Sequence, residues 1–215
     1  MRNEDWDPIY CEILKDMGYD RASDENSARV LKALMVNADL ITDDELPVND
    51  IVSIFGAADS LASDMEKRRP EGTLISAGSA TSTVMSKGIV PDIVVTDLDG
   101  DIQSQIEASK KGAITLIHAH GDNIDLIMQH SKEFTGKVIL TTQSKPDLVM
   151  YNFGGFTDGD RAVCLARHLG ARKILLYGFD FENPSSKIDS DPSVKKKKLQ
   201  WAKRIIGDSD DIIRI

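Results

Sequence analysis

The segment Pro91-Asp92-Ile93-Val94-Val95-Thr96-Asp97-Leu98-Asp99-Gly100 ends an apolar, β-branched run in two carboxylates separated by one residue. In an open α/β sheet, ligands gather outside the carboxyl ends of the strands, so Asp97 and Asp99 stand where a site is expected. Two carboxylates on a turn closed by Gly100 suit a hard cation such as Mg²⁺, which takes oxygen ligands and bridges to substrate phosphates. Asp and Gly are also ordinary turn residues, but a turn needs only one Asp. Three further apolar runs end in polar clusters. Ile114–Ile117 runs into His118-Ala119-His120-Gly121-Asp122-Asn123, and Leu148–Tyr151 into Asn152-Phe153-Gly154-Gly155-Phe156-Thr157-Asp158-Gly159-Asp160-Arg161. Lys173–Tyr177 runs into Gly178-Phe179-Asp180. In a parallel sheet all four clusters share one edge, where carboxylates repel one another unless a cation lies among them.

Gly154 and Gly155 allow backbone to approach a ligand, and Thr157 or Asp158 can cap a helix beginning around Asp160. The positive end of that helix, together with Arg161, can hold a phosphate. The alternative is that Asp158 is only a cap and Arg161 a surface residue. His118 and His120 lack a cysteine or third histidine at ligand spacing, so zinc is not expected. His120 is expected to hydrogen-bond a substrate or phosphate, and His118 to be a strand-end residue satisfied by backbone. His130 and His168 fall in helix-like stretches and read as surface residues.

These clusters need a frame to hold them. Trp6, Ile9, Tyr10, Ile13, Leu14 and Met17 recur at three- and four-residue steps, which predicts a helix ended by Gly18. Ser23 is the expected N-cap of a second helix, with Ala28, Val30, Leu31, Leu34 and Met35 on its apolar side. The polar stretch Thr42 to Asp50, with Pro47, reads as a connection. The expected organisation is therefore a helical amino-terminal segment over residues 1–46 and an α/β domain over 47–215. From Ile51 onward short apolar runs alternate with helical stretches. Beside the strands already named, Ile51–Phe55, Thr73–Ser76 and Val138–Leu140 are candidates, and Ile212–Ile215 a last short one. A helix is expected through Leu199, Trp201 and Ile205. The alternation predicts βαβ units, hence a doubly wound, mostly parallel sheet under an amino-terminal helical cap. The lysine run Lys195–Lys198 reads first as a solvated helix face. The alternative makes it, with the Asn183–Pro192 loop, a basic lid over a polyphosphate site.

With 215 residues the chain is long enough for one substantial core. Its formal net charge of -9 argues against non-specific nucleic-acid binding, which needs a basic face. Cys11 and Cys164 fit no disulfide or zinc spacing, which points to a reducing cytoplasm. No long apolar run and no charged-then-apolar leader is present, so neither membrane insertion nor secretion is expected.

The motifs PDIVVTDLDG at Pro91–Gly100, HAHGDN at His118–Asn123 and NFGGFTDGDRA at Asn152–Ala162 resemble the archaeal 6-hydroxymethyl-7,8-dihydropterin pyrophosphokinase family. The resemblance extends from Ile51 to the end, and the acidic turn is more distantly similar to that of thiamine pyrophosphokinase. It implies transfer of the β,γ-diphosphate of ATP to the pterin hydroxymethyl group, with Mg²⁺ and release of AMP, in methanopterin or folate-type cofactor synthesis. By the same resemblance Asp97 and Asp99 are metal ligands, Asp122 and Asp158 or Asp160 complete the acidic site, and Arg161 touches phosphate. His120 or a carboxylate is then the acceptor of the alcohol proton, and Gly154, Gly155 and Thr157 line the nucleotide. The partners are small molecules, and oligomeric state stays open between monomer and homodimer. Two places depart from the family pattern. Asp59 stands in Gly56–Leu61, where a Gly-Pro-Ser-type turn is usual, and an Asp at a helix start disfavours an anion there. Ser76–Thr81 lacks the aspartate that relatives commonly carry, at the position around Gly78, which bears on substrate choice. The competing readings are thiamine pyrophosphokinase and a nucleotide-binding or glycosyl-transferring protein on the same fold.

Overall fold

The computed structural model describes residues 3–183 and 192–215. Helix α1 (Asn3–Met17) buries Trp6, Tyr10 and Ile13 along its stripe, and Gly18 ends it at a φ of +70°. Helix α2 (Arg21–Leu34) starts three residues after that glycine. Its N-cap is Asp20, in extended backbone, and not Ser23, which falls inside the first turn and reaches back to the Asp20 carboxylate at 3.4 Å. Then follow β1 (Ile51–Phe55), α3 (Leu61–Lys67), β2 (Thr73–Ala77), α4 (Ala80–Ser86), β3 (Ile93–Thr96), α5 (Ile102–Lys110) and β4 (Ile114–Ala119). The chain continues through α6 (Ile124–His130), β5 (Val138–Thr142), β6 (Met150–Tyr151), α7 (Asp158–His168), β7 (Lys173–Tyr177), α8 (Pro192–Ile206) and β8 (Ile212–Arg214). The sixth strand is shorter than the apolar run Leu148–Tyr151 because Asp147 accepts from the Val149 and Met150 amides in a turn, leaving Leu148 99% exposed. The Asn183–Pro192 loop lies largely outside the described residues, while Lys195–Lys198 belongs to α8.

The strands form one sheet in the order β6-β5-β4-β3-β2-β1-β7-β8, and every pairing is parallel. An all-parallel sheet must be covered on both faces, which is why its strands read as continuous apolar runs. From β1 to β6 the chain steps in one direction. Right-handed crossovers put the intervening helices on one face. The chain then turns back, and α7 crosses the opposite face over β1, β2 and β3 to reach β7 beside β1. Ala162, Val163, Leu165 and Ala166 of α7 pack there on Val52, Ile54, Ile75, Ile93 and Val95.

The first two helices embrace the sheet from both sides. Trp6, Tyr10 and Ile13 of α1 pack with Phe156, Cys164 and Ile205 on the α7–α8 side. Ala28, Leu31 and Met35 of α2 pack with Ile117, Val138 and Leu140 on the other. Ile41 and Leu46, flanking a 3₁₀ turn at Asp43–Glu45, are buried in the main core, and the Ile41 amide bonds the Val138 carbonyl. The amino-terminal 46 residues thus share their cores with the sheet.

The strand order reverses between β1 and β7, the point at which a crevice opens in folds of this class. Here Gly56 and Gly178 meet so closely that a Cβ on either would lie 2.6 or 2.4 Å from the other's carbonyl oxygen. Asp64 of α3 pins this junction. It is buried and accepts from the Gly178 amide at 3.0 Å, from the Ser60 hydroxyl at 2.8 Å and from Lys67 at 2.8 Å. Burial alone raises its carboxyl pKa, but Lys67, Ser60 and the Gly178 amide outweigh burial and hold it below the usual carboxylate range. A depressed folded value means the stabilisation is present above the unfolded carboxyl pKa of about 4 and is lost as pH falls through the folded one. Asp64→Asn should therefore cost about 2 kcal/mol of unfolding free energy at neutral pH. The difference from the parent should close as the medium is acidified, as read by urea denaturation across pH.

Candidate active site

A cleft of about 550 Å³ opens at the carboxyl edge of the sheet, lined from β1, β2, β3, β4, β5 and β7, the first turn of α7, the α1–α2 turn and α8. At its floor Asp97, Asp99 and Asp158 each offer a carboxylate oxygen, all within 4.8 Å of one another. The first two come from the turn after β3. Leu98 between them is a non-glycine residue at φ +68°, which costs roughly 1–2 kcal/mol. The turn holds because the Leu98 side chain is fully buried and its amide donates to Thr96 Oγ1. Thr96 in turn donates to Gln105 Oε1 at 2.6 Å, and Gln105 Nε2 to the Asp99 carbonyl at 2.9 Å. The third carboxylate begins α7. It occupies the space a side chain at Gly78 would fill, since a Cβ there would lie 2.5 Å from Asp158 Oδ2. The glycine at 78 thus makes room for the acidic cluster. Asp59 is exposed and does not line the cleft.

Arg161 lies beneath this cluster, only 6% exposed. Nη1 is 3.0 Å from Asp158 and 3.9 Å from Asp97, while Nη2 donates to the Phe156 carbonyl at 2.6 Å and to Gln143 Oε1 at 3.4 Å. It is a buried counter-ion of the carboxylates, not the surface alternative that its place at a helix start allowed. Around Asp97, burial pushes the carboxyl pKa up, but the hydrogen bond from His120 and the positive charge nearby, Arg161 included, hold it well below the usual range. Asp158 goes the other way: burial and the Asp97 charge push it well above that range, and Arg161 only partly offsets them. Asp97 Oδ1 is buried with no hydrogen-bond partner among the described residues.

Several expected site residues have structural duties, and among them Thr157 also lines the cleft. Thr157 caps α7, and Asp160 accepts from the Phe156 amide at 2.6 Å, the Thr157 amide at 2.8 Å and the Thr157 hydroxyl. Those three bonds keep Asp160 out of the acidic cluster. Gly154 and Gly155, at φ +86° and +95°, are buried and do not line the cleft. A Cβ at 155 would fall 2.5 Å from the Arg161 Cα, so that glycine lets the loop pass under α7. The helix begins at Asp158, two residues earlier than its sequence places it.

His120 does line the cleft, with both ring nitrogens in use: Nε2 lies 3.3 Å from Asp97 Oδ2, and Nδ1 accepts from the Asp122 amide at 3.3 Å. It positions Asp97. His118 is buried, bonded to the Thr141 hydroxyl at 3.0 Å rather than to backbone, and burial pushes its pKa well down. Asp122 is exposed at the cleft, near Tyr19, whose pKa is raised by burial and then by the Asp122 carboxylate. His130 bonds Glu133, and His168 bonds Asp43. Of the lysine run, Lys195 and Lys198 line the cleft whereas Lys196 and Lys197 face solvent.

The sequence reading took Gly56–Ala58 and Gly78–Ser79 only as parts of turns that depart from the family pattern, and it missed Gln143 and all of the α1–α2 contribution through Tyr19, Ser23 and Asp24. One signal was available for the first group: a glycine directly follows the β1, β2 and β7 strands alike. For Asp24 the signal was a carboxylate four and seven residues ahead of the buried Ala28 and Leu31, on the same helix face.

The burial of Arg161 sets an expectation of its own. Lysine cannot reproduce its forked contacts, so Arg161→Lys should cost about 1.5–3 kcal/mol of unfolding free energy in the ligand-free protein. Chemical denaturation measures this, and a loss below about 0.5 kcal/mol would contradict the buried ion pair.

A family model described as 6-hydroxymethylpterin diphosphokinase MptE-like matches residues 25–186. The chain is 41% identical over 221 residues to the 6-hydroxymethyl-7,8-dihydropterin pyrophosphokinase of Pyrococcus furiosus, covering 96% of this chain and 93% of the relative. Proteins of the same name from Methanothermobacter thermautotrophicus and Methanocaldococcus jannaschii are 41% and 35% identical, over 94% and 100% of this chain and 92% and 98% of theirs. Among solved structures, the MAf glycosyltransferase from Magnetospirillum magneticum AMB-1 is similar in fold, with a TM-score of 0.55 at 15% identity. That likeness covers 84% of this chain and 34% of the glycosyltransferase. By its sequence and its relatives, the chain belongs to the MptE-like family of 6-hydroxymethylpterin diphosphokinases.

Proposed function

We propose that this protein transfers the diphosphate of ATP to 6-hydroxymethyl-7,8-dihydropterin, releasing AMP, with Mg²⁺ held by Asp97, Asp99 and Asp158. The observation that carries this reading is the carboxylate trio at the strand ends, in a chain whose relatives bear the corresponding name. The residues fit the cation. All donors are oxygens, as Mg²⁺ requires, and the buried Asp97 Oδ1 has no hydrogen-bond partner among the described residues. When bound, Mg²⁺ neutralises polyphosphate charge and aligns the phosphorus under attack.

The chain's own residues do the rest. In the reaction a bond forms between the hydroxymethyl oxygen and the β-phosphorus of ATP. The bond from that phosphorus to the oxygen it shares with the α-phosphorus breaks, and AMP departs with that oxygen. His120 holds Asp97, and Arg161 holds Asp158. The alcohol's proton leaves late, and Asp122, an exposed carboxylate of the cleft outside the metal cluster and next to His120 and Gly121, is suited to accept that proton. Lys195 and Lys198 on α8 supply positive charge along the same cleft. No helix among the described residues is long and apolar enough to cross a membrane. With its diffusible substrates and two free cysteines, the protein fits a cytoplasmic setting.

With ATP, Mg²⁺ and the hydroxymethyl dihydropterin, AMP and the pterin diphosphate should form in equal amounts, resolved by ³¹P NMR. Accumulation of ADP would instead mean single phosphoryl transfer and end this reading. Asp97→Asn and Asp99→Asn should each remove most turnover while the fold persists by circular dichroism. Because Asp158 carries a raised pKa beside Asp97, it must give up its proton when a cation is held. Mg²⁺ binding should therefore release protons and tighten as pH rises. Calorimetry in buffers of differing ionisation enthalpy reads this, and the release should vanish in Asp158→Asn.

A further inference from the structure

Asp24 of α2 is 3% exposed, although it is a carboxylate from a helix outside the βαβ body. Its Oδ1 accepts from the Gly121 amide at 2.6 Å, and its Oδ2 from Tyr10 Oη and from Gln143 Nε2 at 2.8 Å. Gly121 lies between His120 and Asp122, and a Cβ there would come 2.8 Å from Ser23 Cβ, so the loop after β4 is moulded onto the start of α2. Gln143 ends β5. Its backbone carbonyl takes the Trp6 indole N–H at 2.8 Å, which ties α1 to the same spot.

The polarity of this chain of bonds is fixed at both ends, since Arg161 can only donate. An ionised carboxylate only accepts, so the Gln143 amide must turn its NH₂ toward Asp24 and its oxygen toward Arg161 Nη2. Arg161, oriented in this way, donates to Asp158 at 3.0 Å. We infer that Asp24 is a positioning residue for the diphosphotransfer site: through Gln143 it orients Arg161 and thereby Asp158, and through the Gly121 amide it sets the His120–Asp122 loop. This inference rests on the reading given under Proposed function for its catalytic consequence, but its geometric content does not.

The near-isosteric Asp24→Asn removes one of the two acceptors at this position. An NH₂ in place of Oδ2 meets the Gln143 NH₂, which Arg161 holds in that orientation, donor against donor, and an NH₂ in place of Oδ1 meets the Gly121 N–H in the same way. Replacing Gln143 by glutamate in the same chain restores an acceptor toward both neighbours. In the parent background, Gln143→Glu instead sets two carboxylates against each other.

Two readouts are taken on the full-length parent, Asp24→Asn, Gln143→Glu and the double variant: Mn²⁺ binding by electron paramagnetic resonance, and AMP formation from ATP and the hydroxymethyl dihydropterin. Each single variant is expected to weaken Mn²⁺ binding and to lower kcat by at least tenfold. The double variant should recover both to within about threefold of the parent. A double variant no better than Asp24→Asn, or Asp24→Asn with parental Mn²⁺ affinity and kcat, overturns the inference. If Asp24→Asn fails to fold, Gln143→Leu keeps the Tyr10 and Gly121 bonds of Asp24 and removes only the relay. It should show the same tenfold losses, and parental values there overturn the inference. A parent that binds Mn²⁺ yet forms no AMP with this pterin refutes the proposed reaction, while the Mn²⁺ comparison still decides the role of Asp24.

Discussion

Mutual repulsion of carboxylates at one edge of a parallel sheet is the constraint to which the rest of the molecule answers. Asp97, Asp99 and Asp158 lie closer than free carboxylates would choose, and the protein offsets this with one buried guanidinium and one histidine, while burial and the Asp97 charge push the Asp158 carboxyl pKa up. Arg161 faces both Asp158 and Asp97. Placing it there requires α7 to start above the ends of β2 and β3, which in turn requires the crossing from β6 back to β7. The buried Asp160 cap, the glycines at 154 and 155, and the missing side chain at 78 all serve that one placement.

The same demand explains the helices ahead of β1. A buried Arg needs its remaining N–H groups satisfied, and the Phe156 carbonyl and Gln143 meet that need for Nη2. Gln143 is in turn held by Trp6 and Asp24. The α1–α2 pair is a clasp across the edge of the sheet, gripping the α7–α8 layer with one helix and the β4–β5 face with the other.

The fold was largely legible because an all-parallel sheet writes its strands as β-branched runs and its edge as the glycines and acids that follow them. Ile51–Phe55, Ile93–Thr96 and Lys173–Tyr177 appear in the structure with those bounds. Leu148 misled because a sequence pattern cannot show that Asp147 ties up the next two amides. Asp97 and Asp99 stood out by their strand-end position, and Asp158 by the Gly-Asp-rich stretch at the start of α7. Asp160 was not separable from Asp158 in sequence, since both sit at a helix start and only the cap geometry distinguishes them. The burial of Arg161, and the roles of Gln143 and Asp24, depend on which elements become neighbours when the chain turns back, and no local periodicity carries that information.

The turn back also fixes a timetable for synthesis. Until the ribosome has passed residue 168, the face of the sheet bearing Val52, Ile54, Ile75, Ile93 and Val95 has no helix from the βαβ body to cover it. The nascent protein thus presents a wide oily surface for most of its translation, together with an acidic edge that still lacks its arginine. Sealing that surface and balancing that edge are one event, the laying down of a single eleven-residue helix. A chain interrupted before α7 is therefore left both adhesive and without the machinery of its site.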